Sequence, residues 1–206
     1  MNYIDEVVTR YPSLMPLRGE LLECVEAFEK CYHSGGKILI AGNGGSCADS
    51  EHISGELLKG FILKRPPEAA ELEAFARVGL TEEGKLLQRG IPSVPLSSLC
   101  SVLSAFANDV APDMVFGQLV YALGGKNDVL LCLSTSGNSR NVVKAAQVAR
   151  AMGIYTVALT GSSGGELFGI CDLTLRAPAS ETYKVQELHL PIYHALCAEL
   201  EARLFG

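Results

Sequence analysis

Two short apolar runs, each passing directly into a polar loop and then a helical pattern, constrain this chain more than any other feature. The first is Lys37-Ile38-Leu39-Ile40-Ala41, followed by Gly42-Asn43-Gly44-Gly45-Ser46 and a helix predicted over residues 47–60. The second is Asp128-Val129-Leu130-Leu131-Cys132-Leu133, followed by Ser134-Thr135-Ser136-Gly137-Asn138-Ser139 and a helix over 140–152. Neither run alternates apolar with polar residues, so each strand is expected to be buried on both faces. Such strands belong to parallel sheets, whose crossover helices cover the two faces.

The rest of the chain repeats the pattern. Residues 3–32 read as a helix broken near Pro12 and Pro16, because proline lacks the N–H that a helix interior needs. Leu21, Leu22, Val25 and Phe28 make its apolar stripe, and Ser34-Gly35-Gly36 ends it. Further strands are expected over 154–159 and 172–175, with a short one over 94–96. Helices are expected over 98–107, 112–123 and 181–204. The alternation predicts an α/β fold, a doubly wound sandwich that receives its ligand at the carboxyl ends of the strands. At 206 residues the chain reads as a single domain, 1–206, opened by a packing helix over 1–34. Residues 64–90 stand apart. Pro66-Pro67, then Glu68, Glu71 and Glu73, then Glu82-Glu83-Gly84 mark an inserted helical excursion or lid, too long for an ordinary connection.

Composition removes several classes of function. Hydrophobic residues make up 48% and charged residues 19%, a folding rather than a disordered balance. With 17 basic and 23 acidic residues the net charge is −6, which argues against nucleic acid and anionic membranes as partners. The seven cysteines form no CxxC pair and sit mostly in apolar runs, as buried thiols in a reducing compartment do. The first residues are polar and carry Asp5 and Glu6, unlike a signal peptide, and no apolar stretch nears the roughly 20 residues of a membrane helix. The expectation is a soluble, cytoplasmic protein.

The chemistry concentrates in the loops and on two helices. A helix N-terminus after a polar loop offers unpaired N–H groups and partial positive charge to an anion. Ser134, Thr135, Ser136 and Ser139 add four hydroxyls within six residues. One such loop reads equally well as a turn with an N-cap; two at equivalent places point to a phosphorylated small ligand. Neither has the spacing of a P-loop or of a dinucleotide fingerprint. On the helix after the first loop, His52 and Glu56 lie four residues apart and share a face, roughly 40° apart around the axis. On the last helix, Gln186 and His194 lie within roughly 80° of each other. Two imidazoles, a carboxylate and an amide oxygen can bind zinc, and can equally supply a base and an acid for proton transfer. His33 reads as a helix-end residue and His189 as a surface or packing residue.

Taken together, Gly42-Asn43-Gly44-Gly45-Ser46, His52-x-x-x-Glu56, Leu133-Ser134-Thr135-Ser136-Gly137-Asn138-Ser139, Gln186-Glu187-x-His189 and His194 resemble the sugar isomerase (SIS) domain, and within it the phosphoheptose isomerase branch. The resemblance runs over most of the chain, with 64–90 as an insertion. It implies a flavodoxin-like, three-layer αβα sandwich on a five-stranded parallel sheet, assembled as a homotetramer with active sites between subunits. It implies aldose–ketose isomerisation of sedoheptulose 7-phosphate to D-glycero-D-manno-heptose 7-phosphate, or of a related sugar phosphate, through an enediol. By position, Ser46, Ser134, Thr135, Ser136 and Ser139 would hold the phosphate. Asn43, Gly44, Asn108, Asp109, Glu56 and Gln186 would touch the sugar. His52, Glu56, Gln186 and His194 match that family's zinc site, and Glu56 with His194 its proton-transfer pair. Tyr183 stands where an acidic or small residue is expected, and Cys47 follows the loop serine directly; both bear on which sugar is used. Noncatalytic relatives that bind a replication initiator lack the glutamate and the last histidine, whereas Glu56 and His194 are both here. The resemblance implies that the insertion over 64–90 stands near the mouth of the site, where it is expected to cap a neighbouring subunit.

Overall fold

A computed structural model describes residues 2–206. The chain opens with α1 (Tyr3–Arg10), a 3₁₀ turn over Pro12–Leu17 and α2 (Arg18–His33), so the break falls at the two prolines. Strand β1 (Ile38–Gly42) leads through two residues into α3 (Gly45–Leu58). The excursion then carries α4 (Ala69–Arg77) and a 3₁₀ turn, Glu83–Leu86, before β2 (Ser93–Pro95). Next come α5 (Cys100–Asp109), α6 (Val115–Leu123), β3 (Val129–Leu133), α7 (Arg140–Ala151) and β4 (Tyr155–Thr160). The single turn α8 (Gly165–Phe168), β5 (Leu173–Arg176) and the long α9 (Thr182–Phe205) complete the chain. Helix α8 goes beyond the sequence reading; four residues are too few to show a helical period.

All five strands are parallel, in the order β2-β1-β3-β4-β5. Every residue of β1 and β3 is buried, as their unbroken apolar character requires. The pleat divides them between two cores. Ile38, Ile40, Val129, Leu131, Val157 and Leu175 face the layer of α1, α2, α3 and α9. Leu39, Ala41, Leu130, Cys132 and Ala158 face the layer of α5, α6, α7 and α8. Each large branched side chain so buried contributes about 1.5–3 kcal/mol, which makes both strands intolerant of a register slip.

The chain winds outward from β1 in both directions, to β2 on one side and β3 on the other. Ile38 lies opposite Val129 and Gly42 opposite Leu133, so β1 and β3 end level with each other. The loops after these strands therefore flank the topological switch point, where open α/β sheets bind ligands.

The excursion has two parts with different physics. Helix α4 is closed by a capping box between Glu68 and Glu71 and buries none of its residues. Its root is a core element. Arg65 is fully buried and donates from Nε to Glu201 Oε1 at 2.7 Å, from Nη1 to the Leu57 carbonyl at 2.7 Å and from Nη2 to the Glu56 carbonyl at 3.2 Å. Glu201, equally buried, also accepts the backbone N–H groups of Phe61, Ile62 and Leu63 at 2.8, 2.7 and 2.9 Å. Burial alone would raise the Glu201 carboxyl; those N–H groups and the guanidinium together hold its pKa below the ordinary value. Arg65 thus belongs to the core, Pro67 is buried as well, and the exposed excursion begins after them.

Candidate functional site

The serine loop after β3 is stiff before any ligand arrives. Ser134 is buried and shares a 2.9 Å hydrogen bond with Ser139, the N-cap residue of α7. The Ser136 hydroxyl accepts from the Asn138 N–H at 3.1 Å, and the Thr135 carbonyl accepts from the Gly161 N–H at 2.9 Å. Gly137 adopts φ +69°, and a Cβ there would collide with the Gly164 carbonyl, so only glycine lets the two neighbouring loops pack. The exposed Ser136 and half-buried Thr135 and Ser139 present their hydroxyls at the start of α7, with its free N–H groups behind them.

The glycine loop after β1 is tied to this one. Asn43 donates from Nδ2 to Asn141 Oδ1 at 2.8 Å and accepts from Asn141 Nδ2 at 3.0 Å. This reciprocal amide pair holds the β1 loop against the first turn of α7. Asn141 was not among the residues singled out from the sequence, since nothing local distinguishes it from any polar residue in a first turn. Ser46 is buried in the first turn of α3, beside the exposed Asn43, Gly44 and Gly45. The Gln186 amide lies over Gly45, in the space that any side chain at that position would fill.

Further along α3, His52 and Glu56 meet His194 of α9. His52 Nε2 stands 3.3 Å from Glu56 Oε1 and 3.4 Å from His194 Nε2. The Glu56 side chain is 15% exposed and that of His52 43%, so the carboxylate sits behind an open imidazole edge. The second Glu56 oxygen accepts from Lys59 Nζ at 2.8 Å. Burial, and then the adjoining His52, lower the His194 pKa below the ordinary imidazole value, against a smaller lift from Glu56. Both effects favour the neutral imidazole. The other ring nitrogen of His52, Nδ1, lies 3.0 Å from the Tyr193 hydroxyl.

Three sequence-selected residues lie away from this group. Gln186 is two helical turns from His194 along α9 and makes no hydrogen bond to His52, Glu56 or His194 among the described residues. Asn108 and Asp109 end α5 on the surface, where Asn108 Nδ2 donates to Asp109 Oδ1 at 2.7 Å. Their segment still lies at the ligand end of the sheet, because Asp113 pairs with Arg140, the first residue of α7, at 3.5 Å. His189 is fully buried, its Nε2 donating to the Thr160 carbonyl at 3.3 Å, which makes it a packing residue. His33 is exposed in the last turn of α2.

The donor chemistry of the His52, Glu56 and His194 group suits zinc. Two imidazole nitrogens and a carboxylate oxygen are its ordinary ligands, and tetrahedral bonds of about 2.0–2.1 Å place ligand atoms about 3.4 Å apart. The two spacings of 3.3 and 3.4 Å match that edge length. Among the described residues, however, no group of three or more His, Cys, Asp or Glu side chains is placed to hold a metal ion.

The SIS domain family matches the chain over residues 92–161, a span that includes β2, β3, the serine loop, α7 and β4. Over 207 aligned positions the chain is 34% identical to a phosphoheptose isomerase of Shewanella baltica, an alignment covering 99% of this chain and 93% of that protein. Among solved structures it is similar to phosphoheptose isomerase GmhA from Neisseria gonorrhoeae, with a TM-score of 0.76 and 30% identity over 96% of this chain and 94% of that one. A phosphoheptose isomerase from Francisella tularensis superposes with a TM-score of 0.74 at 27% identity, covering 98% of this chain and all of that one.

Proposed function

The chain belongs to the phosphoheptose isomerase family of SIS domain proteins, and from that premise we propose how its residues interconvert a ketose and an aldose phosphate. The protein is a sugar-phosphate isomerase. The substrate of this reading is sedoheptulose 7-phosphate, converted to D-glycero-D-manno-heptose 7-phosphate.

The phosphate sits in the serine loop, bound by the hydroxyls of Thr135, Ser136 and Ser139 and the N–H groups at the start of α7, with Ser46 and the N-terminus of α3 beside it. Asn43, Gly44, Gln186 and the Asn108-Asp109 pair contact the sugar hydroxyls. Glu56 takes the proton from C1 of the ketose, and the enediol is reprotonated at C2. His194, a neutral imidazole, moves the proton between the two oxygens. Lys59 holds Glu56 through the oxygen that faces away from His52, which leaves the other aimed at the histidines. A zinc ion held by His52, Glu56 and His194 would polarise the substrate oxygens as a Lewis acid, while Gln186, two turns away along α9, is left to the sugar.

The observation that carries this reading is the Glu56 carboxylate 3.3 Å from the His52 imidazole on the helix that follows the glycine loop, with His52 in turn 3.4 Å from the His194 imidazole of α9. We place the complete site between subunits of a homotetramer. The catalytic group is open on one side, and Leu58 and Ile62 beside it are each about half exposed, an apolar surround that a neighbouring subunit would cover. The setting proposed is the cytoplasm. All seven cysteines are free, and among the described residues no helix is long and apolar enough to cross a membrane.

Proton NMR of the protein with sedoheptulose 7-phosphate in deuterated water, with zinc or with a chelator, tests the proposal. The expected result is an aldose phosphate carrying deuterium at C2, formed more slowly with chelator. Absence of turnover by zinc-loaded tetramer would overturn the substrate assignment, and bound but unchanged substrate would favour a binding protein.

A further inference from the structure

We infer that Asp49 and Tyr193 are positioning residues that set the tautomer of His52 and so aim the lone pair of its Nε2 at His194 and Glu56. The inference rests on the reading of that group as the isomerase site, and it names the residues that prepare it.

Asp49 lies one turn before His52 on α3, and Tyr193 is the neighbour of His194 on α9. The Tyr193 ring is buried, packed edge-on against His52 at 5.4 Å and against His194 at 5.0 Å between centroids. Its hydroxyl lies 3.0 Å from His52 Nδ1 and 3.3 Å from Asp49 Oδ1. A phenol has one proton to give, and a carboxylate can only accept. Tyr193 therefore donates to Asp49 and accepts from His52, which requires the hydrogen of the neutral ring to sit on Nδ1. Nε2 then carries the lone pair, at the atom that faces His194 and Glu56.

Two features set this arrangement apart from ordinary packing. Asp49 Oδ2 is buried with no hydrogen-bond partner among the described residues, an unfavourable placement that the bond made by Oδ1 offsets. Without Tyr193, the nearest polar contact of His52 would be the Glu56 carboxylate, which favours a hydrogen on Nε2, the wrong tautomer for a ligand or a proton acceptor there. Groups that bond the far nitrogen of a ligating imidazole typically change metal affinity or activity 10–100-fold.

The test uses Tyr193→Phe, which removes the hydroxyl and leaves the ring, with Asp49→Asn and the double variant. Nitrogen-15 NMR of the histidine rings in metal-free protein at alkaline pH reads the tautomer directly. The expected result is hydrogen on Nδ1 of His52 in the unmodified protein and on Nε2 in Tyr193→Phe. Zinc affinity, measured by competition with a chromophoric chelator, should fall about 10-fold or more in Tyr193→Phe and less in Asp49→Asn. The double variant should be no weaker than Tyr193→Phe, because Asp49 acts through the phenol. An unchanged tautomer, zinc affinity within twofold in a protein that still melts cooperatively, or additive losses would overturn the inference. The tautomer is read without substrate. Failure of the isomerase reading would appear as no turnover in the unmodified protein with the tautomer shift intact, and failure of this inference as turnover without the shift.

Discussion

Acidification should destabilise this fold through His189. The ring is fully buried on α9, donates to the Thr160 carbonyl at the end of β4, and among the described residues has no partner for Nδ1. Burial pushes its pKa down to about 4, against a smaller lift from the Thr160 carbonyl. In the unfolded chain the same imidazole titrates at about 6.5. Between these values the unfolded state binds a proton that the folded state refuses, so the contribution is fully present above pH 6.5 and is lost as pH falls toward 4. The slope is at most about 1.4 kcal/mol per pH unit, and 2.5 units give a total of about 3 kcal/mol. That is a large share of the roughly 5–15 kcal/mol by which such domains are stable. Urea unfolding from about pH 7.5 to about pH 4.5, on the unmodified protein and on His189→Gln, measures it. Glutamine keeps an N–H for Thr160 and does not titrate, so the difference between the two curves isolates His189. The unmodified protein should lose stability faster than the variant below pH 6.5. Parallel curves would refute the argument, showing that the buried ring either is protonated in the folded state or relaxes into water.

Four further outcomes are expected. Glu56→Gln should lower turnover about 10²–10⁴-fold while calorimetry shows phosphate-ester binding unchanged; loss of both would mean that Glu56 is structural. Asn141→Ala should raise KM roughly fivefold with kcat nearly constant, the loss of about 1 kcal/mol in loop positioning, and an unchanged KM would remove the amide pair from the site. Arg65→Met should cost about 3–5 kcal/mol in chemical denaturation, because Glu201 is left as an unpaired buried charge; a loss under about 1 kcal/mol would show that its three N–H partners suffice. Excision of residues 69–87, which spares the Gln88 contact to Gly60 and the Glu68–Arg89 pair, should leave the melting temperature nearly unchanged, since α4 buries nothing, but reduce activity if the excursion covers a neighbouring subunit's site. Full activity and unchanged assembly would dispose of that capping role.

Much of the scaffold was legible because its signals are local. An apolar run that never alternates can only be a strand covered twice, and β1 and β3 lie within one residue of where those runs place them. Prolines 12 and 16 announced the break between α1 and α2 for an equally local reason. The serine loop declared its hydroxyls, and the His52–Glu56 spacing its shared helix face. The single turn α8 stayed hidden because four residues carry no period.

What the sequence determined by itself is the alternation of buried strands with helices, the polar loops at their carboxyl ends, and which residue types stand ready for phosphate and proton chemistry. Only the tertiary structure decided which of them meet. Arg65 falls inside the stretch that the sequence marks as an inserted excursion, yet it is sequestered by Glu201, 136 positions away. Nothing local singles out Tyr193, and its hydroxyl acquires a role only because α9 packs the ring edge against His52. Asn141 becomes a loop clamp only where the parallel pairing of β1 and β3 brings it to Asn43. Periodicity and capping act over a few residues and can be read along the chain. A hydrogen bond between residues a hundred positions apart exists only after the sheet order and helix packing have placed both partners within about 3 Å of each other.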